Sequence, residues 1–220
     1  MRSLVLGASG GIGSAIVAAL EARGDTCVAL SRRTDGLDVT DESALQRIAG
    51  SLEGSFDLIF DATGALEVDG YAPEKSIDAL SPEGMAAQFA VNAIGPALLL
   101  KHFHPLLAKS DSAVFATLSA RVGSIGDNRL GGWISYRAAK AALNQIVRTA
   151  SIEISRKRPD SIVVALHPGT VATELTARYA GRHPTVTPDE AAASLLEVIA
   201  GLRPSESGGF FAWDGTAIPW

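Results

Sequence analysis

Tyr136 and Lys140 stand four residues apart in Tyr136-Arg137-Ala138-Ala139-Lys140, a spacing that puts both side chains on one face of a helix. A free phenol titrates near ~10, too high for ready proton exchange at neutral pH, and a neighbouring ammonium favours the phenolate. Paired in this way, Tyr136 is suited to give a proton to a carbonyl oxygen as hydride reaches the carbon. A helix-surface pair at the same spacing is common, so other residues must support the reading.

The run Leu4-Val5-Leu6 leads into Gly7-Ala8-Ser9-Gly10-Gly11-Ile12-Gly13, which reads as strand, glycine turn and helix start. Glycine permits the tight turn and a close backbone approach to a pyrophosphate, whose charge the first N–H groups of the helix stabilise. Gly7, Ser9, Gly11, Ile12 and Gly13 are therefore the expected dinucleotide contacts. The second strand ends in Ser31-Arg32-Arg33, where two guanidiniums suit a 2′-phosphate and no carboxylate immediately follows. NADP(H) is expected over NAD(H).

Asn92 is followed four residues later by Pro96 within one expected helix. Proline has no N–H, so the Asn92 carbonyl loses its helical partner, the helix should kink, and an acceptor is left for a water.

Together these features resemble the short-chain dehydrogenase/reductase family along nearly the whole chain. The resemblance implies that Asp38-Val39 contact adenine and that Asn92, Tyr136 and Lys140 are three members of a catalytic tetrad. It also implies that Lys140 positions the ribose, and that Pro168, Gly169, Val171 and Thr173 hold the nicotinamide carboxamide. Segments such as Ser119-Ala120-Arg121-Val122-Gly123-Ser124-Ile125 and Gly131-Gly132-Trp133 are similar to the subgroup of C-factor-like proteins and carbonyl reductases. The implied activity is reduction of an aldehyde or ketone. The subgroup also carries an alternative, a nucleotide-binding signalling or regulatory role with little turnover. Lyase, dehydratase or epimerase chemistry on the same scaffold is a remoter one.

The chain departs from the family pattern at Leu118-Ser119-Ala120, where two serines are usual and the second orients the substrate. Ala120 takes that second position. Ser119 is the best remaining candidate, although a shift of one along a strand reverses the side chain, and Ser124 is a distant second. Asp61-Ala62-Thr63-Gly64 stands where the family has an asparagine-rich turn. The stretch 33–38 is short, so a reduced third strand without its helix is expected.

The elements that must position these residues follow from periodicity. Apolar runs at 4–6, 27–30, 58–60, 114–118, 162–166 and 210–213 read as strands buried on both faces, alternating with helical stretches. Helices are expected near 82–108, 134–157 and 188–200, with start signals at Ser81-Pro82-Glu83 and Thr187-Pro188-Asp189-Glu190. The expected fold is α/β: a three-layer, Rossmann-type, doubly wound parallel sheet forming one compact domain over residues 1–220. Surface loops are expected at 64–75 and 174–184, the latter covering the substrate.

The chain has 220 residues, 47% of them hydrophobic, and a formal net charge of -5 spread along its length, which disfavours nucleic acid as a partner. A single cysteine, Cys27, excludes an internal disulfide and a cysteine-rich zinc site, and no apolar run is long enough to span a membrane. A cytoplasmic setting is the expectation. His102 and His104 point to different faces of a helix, which is poor geometry for one metal, so no metal site is assigned. His167 is expected to be a hydrogen-bonded structural residue. The apolar tail Ile218-Pro219-Trp220 should be buried against something, with a neighbouring subunit plausible because the family is usually dimeric or tetrameric.

Overall fold

The computed structural model describes residues 1–109, 112–174, 176 and 185–220. In chain order the elements are β1 (Arg2–Leu6), α1 (Gly11–Ala22), β2 (Thr26–Leu30), a single turn α2 (Arg32–Asp35), α3 (Glu42–Ser51), β3 (Leu58–Asp61), α4 (Pro82–Phe89), α5 (Gly95–Phe103), β4 (Val114–Leu118), α6 (Ile134–Ser155), β5 (Ile162–His167), α7 (Pro188–Gly201) and β6 (Phe210–Ala212). The six strands form one parallel sheet in the order β2-β1-β3-β4-β5-β6. The chain leaves β1 toward β2 and returns to β3 on the other side of β1. That reversal makes the switch point at which doubly wound sheets bind ligands, beyond the carboxyl ends of the strands.

Successive strand residues serve opposite cores because side chains alternate across a sheet. Leu4, Leu6, Phe115, Val163 and Ala165 pack with Leu45 of α3, Leu99 and Phe103 of α5, and Leu143 and Val147 of α6. Val5, Phe60, Ala116 and Val164 pack with Ile16 and Leu20 of α1 and Leu195 and Ile199 of α7. Three layers result, as the sequence implies.

The expected helix starts form with their caps. Ser81 Oγ accepts from the Gly84 N–H at 2.9 Å. Thr187 and Glu190 make a reciprocal capping box, with bonds of 3.2 Å from the Glu190 N–H to Thr187 Oγ1 and 2.7 Å from the Thr187 N–H to Glu190 Oε2. The long helix expected near 82–108 is interrupted where Pro96 demands it, as a π-helical turn over Ala90–Ile94 between α4 and α5.

Between β2 and β3 no strand forms among the described residues, and the connection runs through the one-turn α2 and the ten-residue α3. The strand expected there in reduced form is therefore absent. Asp38 turns the chain instead, its Oδ1 accepting from the Thr40 N–H at 2.9 Å and the Thr40 hydroxyl at 2.6 Å. Apart from Glu174 and Thr176, the substrate loop expected at 174–184 lies outside the described residues.

Of the apolar tail only Ile218 is buried, against its own chain, while Pro219 and Trp220 stay exposed. Ile218 is buried and donates to the Phe210 carbonyl at 2.8 Å, and Trp220 stacks on Phe210 with ring centroids 5.8 Å apart. Among the described residues, no helix is long and apolar enough to cross a membrane.

Candidate active site

The glycine turn ties the carboxyl end of β1 to that of β2, because the N–H groups of Gly7 and Ala8 both donate to the Leu30 carbonyl, at 2.9 and 3.0 Å. Gly7 holds φ 85°, a left-handed conformation open to glycine. A Cβ added at Gly13 would lie 2.2 Å from the Gly7 carbonyl oxygen, so the close packing of turn on helix requires glycine there. Helix α1 then begins at Gly11 with no side-chain cap. A helix N-terminus without a competing side chain is suited to a pyrophosphate.

Two further expected contacts come together here. A Cβ at Gly11 would meet Thr173 Cγ2 at 2.7 Å, so Thr173 lies against the glycine turn, while a Cβ at Gly169 would meet the Trp213 ring at 3.1 Å. Val39 packs on α5, since a Cβ at Gly95 would be 2.8 Å from Val39 Cβ. Ser9 is exposed at the turn, and Ile12 is partly buried. The cradle fits a dinucleotide from the glycine turn to the strand ends.

At the β2 end, Ser31 is buried and caps α2, while Arg32 and Arg33 are exposed. The structure adds a neighbour that the sequence reading leaves out. Asp35 folds back over the turn, and its Oδ2 accepts from the Ser31 N–H at 2.8 Å and from the Thr34 hydroxyl. A carboxylate thus does sit at the end of β2, beside Ser31, with two hydrogen bonds to occupy it. Its separation from Ser31 by one helical turn is the signal that predicts this return.

Tyr136 and Lys140 share a face of α6, with Lys140 Nζ 5.9 Å from the centroid of the Tyr136 ring. Lys140 is buried and donates to the Leu118 carbonyl at 3.0 Å. A Cβ at Gly64 would meet Asn92 Oδ1 at 3.0 Å and Lys140 Nζ at 3.4 Å, so the turn after β3 brings Asn92 and Lys140 to either side of one glycine. Asn92 is fully buried, and its side chain clamps this turn. Its Oδ1 accepts from the Ala65 N–H at 3.1 Å, and its Nδ2 donates to the Ala65 carbonyl and to Gln88 Oε1, both at 2.8 Å. With the amide so committed, the remaining acceptor of Asn92 is its main-chain carbonyl, to which Pro96 has no N–H to donate.

Burial sets the protonation states. It pushes the Tyr136 phenol above the usual tyrosine range, and so holds it neutral. It draws Lys140 down to about 8, opposed by the attraction of the Asp61 carboxylate. Asp61 is itself fully buried at the end of β3, and burial raises its pKa against the hydrogen bonds it accepts from the Thr117 hydroxyl and from Thr63.

The Ser119 hydroxyl is committed to a partner other than Tyr136. It donates to Asn144 Oδ1 at 2.6 Å, and Asn144 lies two turns further along α6. Ser124 bonds to the Pro219 carbonyl, closing its loop over the tail. Ala120 offers no hydroxyl. Ser119, the residue after β4, thus ties the strand end to α6 through Asn144.

His167 differs from expectation, because its Nδ1 is buried without a hydrogen-bond partner. Burial lowers its pKa to about 4, aided by Arg121 and opposed by Asp214. His102 of α5 approaches Glu42 of α3 at 3.0 Å, and His104 approaches the Leu100 carbonyl one turn back at 2.8 Å.

The loop at 64–75 is more than a surface connection. Leu66 and Val68 are buried, Gln88 Nε2 donates to the Leu66 carbonyl at 2.7 Å, and Glu74 reaches the start of α6. Gln88 lies one turn before Asn92, a spacing that signals its role. Glu74 has no local pattern to mark it, since its partner is 61 residues away.

Comparison with known proteins places this geometry. A family model described as enoyl-(acyl carrier protein) reductase matches residues 7–206. A 1-hydroxy-2-glutathionyl-2-methyl-3-butene dehydrogenase of Rhodococcus sp. (strain AD45) is 34% identical over 99% of this chain and 98% of its own. The C-signal protein of Myxococcus xanthus is 38% identical over 62% of this chain and 78% of its own. Among solved structures, an NADPH-bound carbonyl reductase from chicken fatty liver superposes with a TM-score of 0.83 at 27% identity, covering 100% of this chain and 98% of that one.

Proposed function

The chain belongs to the short-chain dehydrogenase/reductase family, and we propose that it reduces an aldehyde or ketone to the alcohol with NADP(H), Tyr136 serving as the general acid. The observation that carries this reading is the convergence of a neutral Tyr136, a buried Lys140 and the Asn92 turn at the mouth of a dinucleotide cradle.

Gly7, Ser9, Gly11, Ile12 and Gly13 would hold the pyrophosphate, Arg32 and Arg33 the 2′-phosphate, and Asp38 and Val39 the adenine. Pro168, Gly169, Val171 and Thr173 would hold the carboxamide, and Lys140 the ribose. When bound, the cofactor supplies hydride to the carbonyl carbon. Tyr136 gives its proton to the carbonyl oxygen in the same step, leaving a phenolate. The Lys140 ammonium stabilises that phenolate, and the Asn92 main-chain carbonyl anchors the route by which the proton is replaced. The preference for NADP(H) rests on the two exposed guanidiniums of Arg32 and Arg33, the Asp35 carboxylate of the same turn being occupied by hydrogen bonds to Ser31 and Thr34. A homodimer or homotetramer is the assembly we infer from family habit.

A second reading, a nucleotide-binding regulator with little turnover, is favoured by one observation: Ser119 is committed to Asn144 and Ala120 has no hydroxyl. The deciding experiment follows NADPH consumption with a panel of aldehydes and ketones, using the native chain and Tyr136→Phe. Carbonyl-dependent oxidation by the native chain alone supports the reductase. Tight NADPH binding with no oxidation by any carbonyl supports the regulator.

A further inference from the structure

Helix α6 carries the proposed acid in its first turn, yet it has no cap of its own. Trp133 occupies the N-cap position, and an indole offers no hydrogen-bond acceptor to the orphan N–H groups of a helix start. The approach is strained as well. Gly131, Gly132 and Trp133 hold φ of 64°, 67° and 55° in succession, and the last is a conformation that a bulky side chain seldom adopts. Such backbone persists only where its surroundings over-determine it.

Two side chains do so. Arg137 grips the turn from within the helix, donating to the carbonyls of Gly132 at 2.9 Å, Gly131 at 3.1 Å and Val122 at 3.2 Å. Glu74 grips it from outside. Its main-chain carbonyl accepts from the Trp133 N–H at 2.6 Å, its Oε2 accepts from the Ser135 N–H at 3.2 Å, and its Oε1 accepts from the Ser135 hydroxyl. Glu74 and Ser135 are both buried, and Trp133 meets the Tyr136 ring edge-on with centroids 6.1 Å apart. A carboxylate at this place also complements the positive end of the helix dipole.

We propose that Glu74 is the positioning residue for Tyr136: its carboxylate caps α6 from the 64–75 loop and, through Ser135, fixes the turn from which the phenol projects. The same loop is held at its other end by Asn92 and Gln88. It therefore links the π-helical turn to the first turn of α6, so the two halves of the proton route share one support. Displacement of a catalytic group by about 1 Å can cost up to ~10²-fold in rate, which is the scale on which such a support acts.

This inference rests on the reductase reading, and its test separates the two. Full-length Glu74→Ala, Glu74→Gln and Ser135→Ala are compared with the native chain by steady-state reduction of a reactive aldehyde, NADPH titration, and NMR hydrogen exchange at the Ser135 amide. Glu74→Ala should lower kcat roughly tenfold or more, leave the NADPH Kd within about twofold, and speed Ser135 exchange by roughly tenfold or more. Glu74→Gln keeps an acceptor for the Ser135 N–H, and should restore kcat and exchange to within about threefold of native. Ser135→Ala removes only the hydroxyl contact. It should lower kcat with NADPH affinity intact even if Glu74→Ala fails to fold. Unchanged kcat and exchange in Glu74→Ala, or an equal loss of kcat and NADPH affinity in Ser135→Ala, would overturn the proposal. If the native chain reduces no carbonyl, the reductase reading fails by itself. The exchange data then still decide the cap: faster exchange reversed by Gln upholds it, and unchanged exchange refutes it.

Discussion

Lys140 Nζ lies 5.9 Å from the centroid of the Tyr136 ring while donating a 3.0 Å hydrogen bond to the Leu118 carbonyl, so one buried ammonium is held between a strand end and the Tyr136 ring. Its protonation should govern the rate. Lys140 loses its proton near pH 8, whereas burial keeps Tyr136 neutral beyond that point. The kcat/KM for carbonyl reduction should therefore be level below about pH 7 and fall as pH rises through about 8. A profile that stays flat from pH 7 to 9 would contradict this assignment.

The same burial has a cost in stability, with a definite sign. Lys140 has an ordinary pKa of 10.5 in the unfolded chain and about 8 in the fold, so between these values the unfolded state binds more protons. The penalty is full below pH 8 and is relieved as pH rises from about 8 to 10.5. Lys140→Met should thus raise Tm at pH 7, flatten the rise of stability in that alkaline window, and abolish reduction. Calorimetry at pH 7 and pH 10 checks this, and a Tm that falls equally at both would count against it.

Ser119 and Ala120 make opposite predictions. Ser119→Ala leaves Asn144 Oδ1 without its donor in a buried site, which costs ~1–3 kcal/mol of stability. It should leave kcat within about twofold of native, because the hydroxyl does not serve the carbonyl. Ala120→Ser places a hydroxyl where the family resemblance implies a substrate-orienting serine and should raise kcat. Chemical denaturation and steady-state kinetics on the two variants decide the matter, and a large loss of kcat in Ser119→Ala would reinstate that serine.

At the cofactor end, Arg32→Ala with Arg33→Ala should weaken NADPH by ~10-fold or more and leave NADH little changed, since charge-assisted bonds to a phosphate are lost. Asp35→Asn should act in the other direction, strengthening NADPH by removing the carboxylate beside Ser31. Titrations at low and high salt measure both effects. Equal changes for the two cofactors would show that neither side chain reads the 2′ position.

What the sequence conveys well is whatever repeats locally. The six strands, the caps at Ser81 and Thr187, and the interruption enforced by Pro96 are each encoded within a few residues, and each forms where periodicity or proline chemistry puts it. The glycine turn is equally local, and Gly13 admits nothing larger. The rest depends on contacts between distant segments. Glu74 meets Ser135 across 61 residues and Ser119 meets Asn144 across 25, so no spacing rule reaches either pair. Asp35 is the intermediate case. Its return to Ser31 follows from one turn of helix, but only once α2 is known to form. His167 is a different kind of miss, because strand register decides that its Nδ1 is enclosed without a partner.

The central claim is that this chain moves hydride to a carbonyl carbon with Tyr136 as the acid. NADPH carrying deuterium at the transferable position of its nicotinamide tests this most directly, with the alcohol product analysed by mass spectrometry. The native chain should place one deuterium on the carbinol carbon, and Tyr136→Phe should do so ~10²- to 10⁴-fold more slowly while binding NADPH normally. Bound NADPH with no deuterium in any alcohol across a broad carbonyl panel, or equal transfer by Tyr136→Phe, would contradict the account.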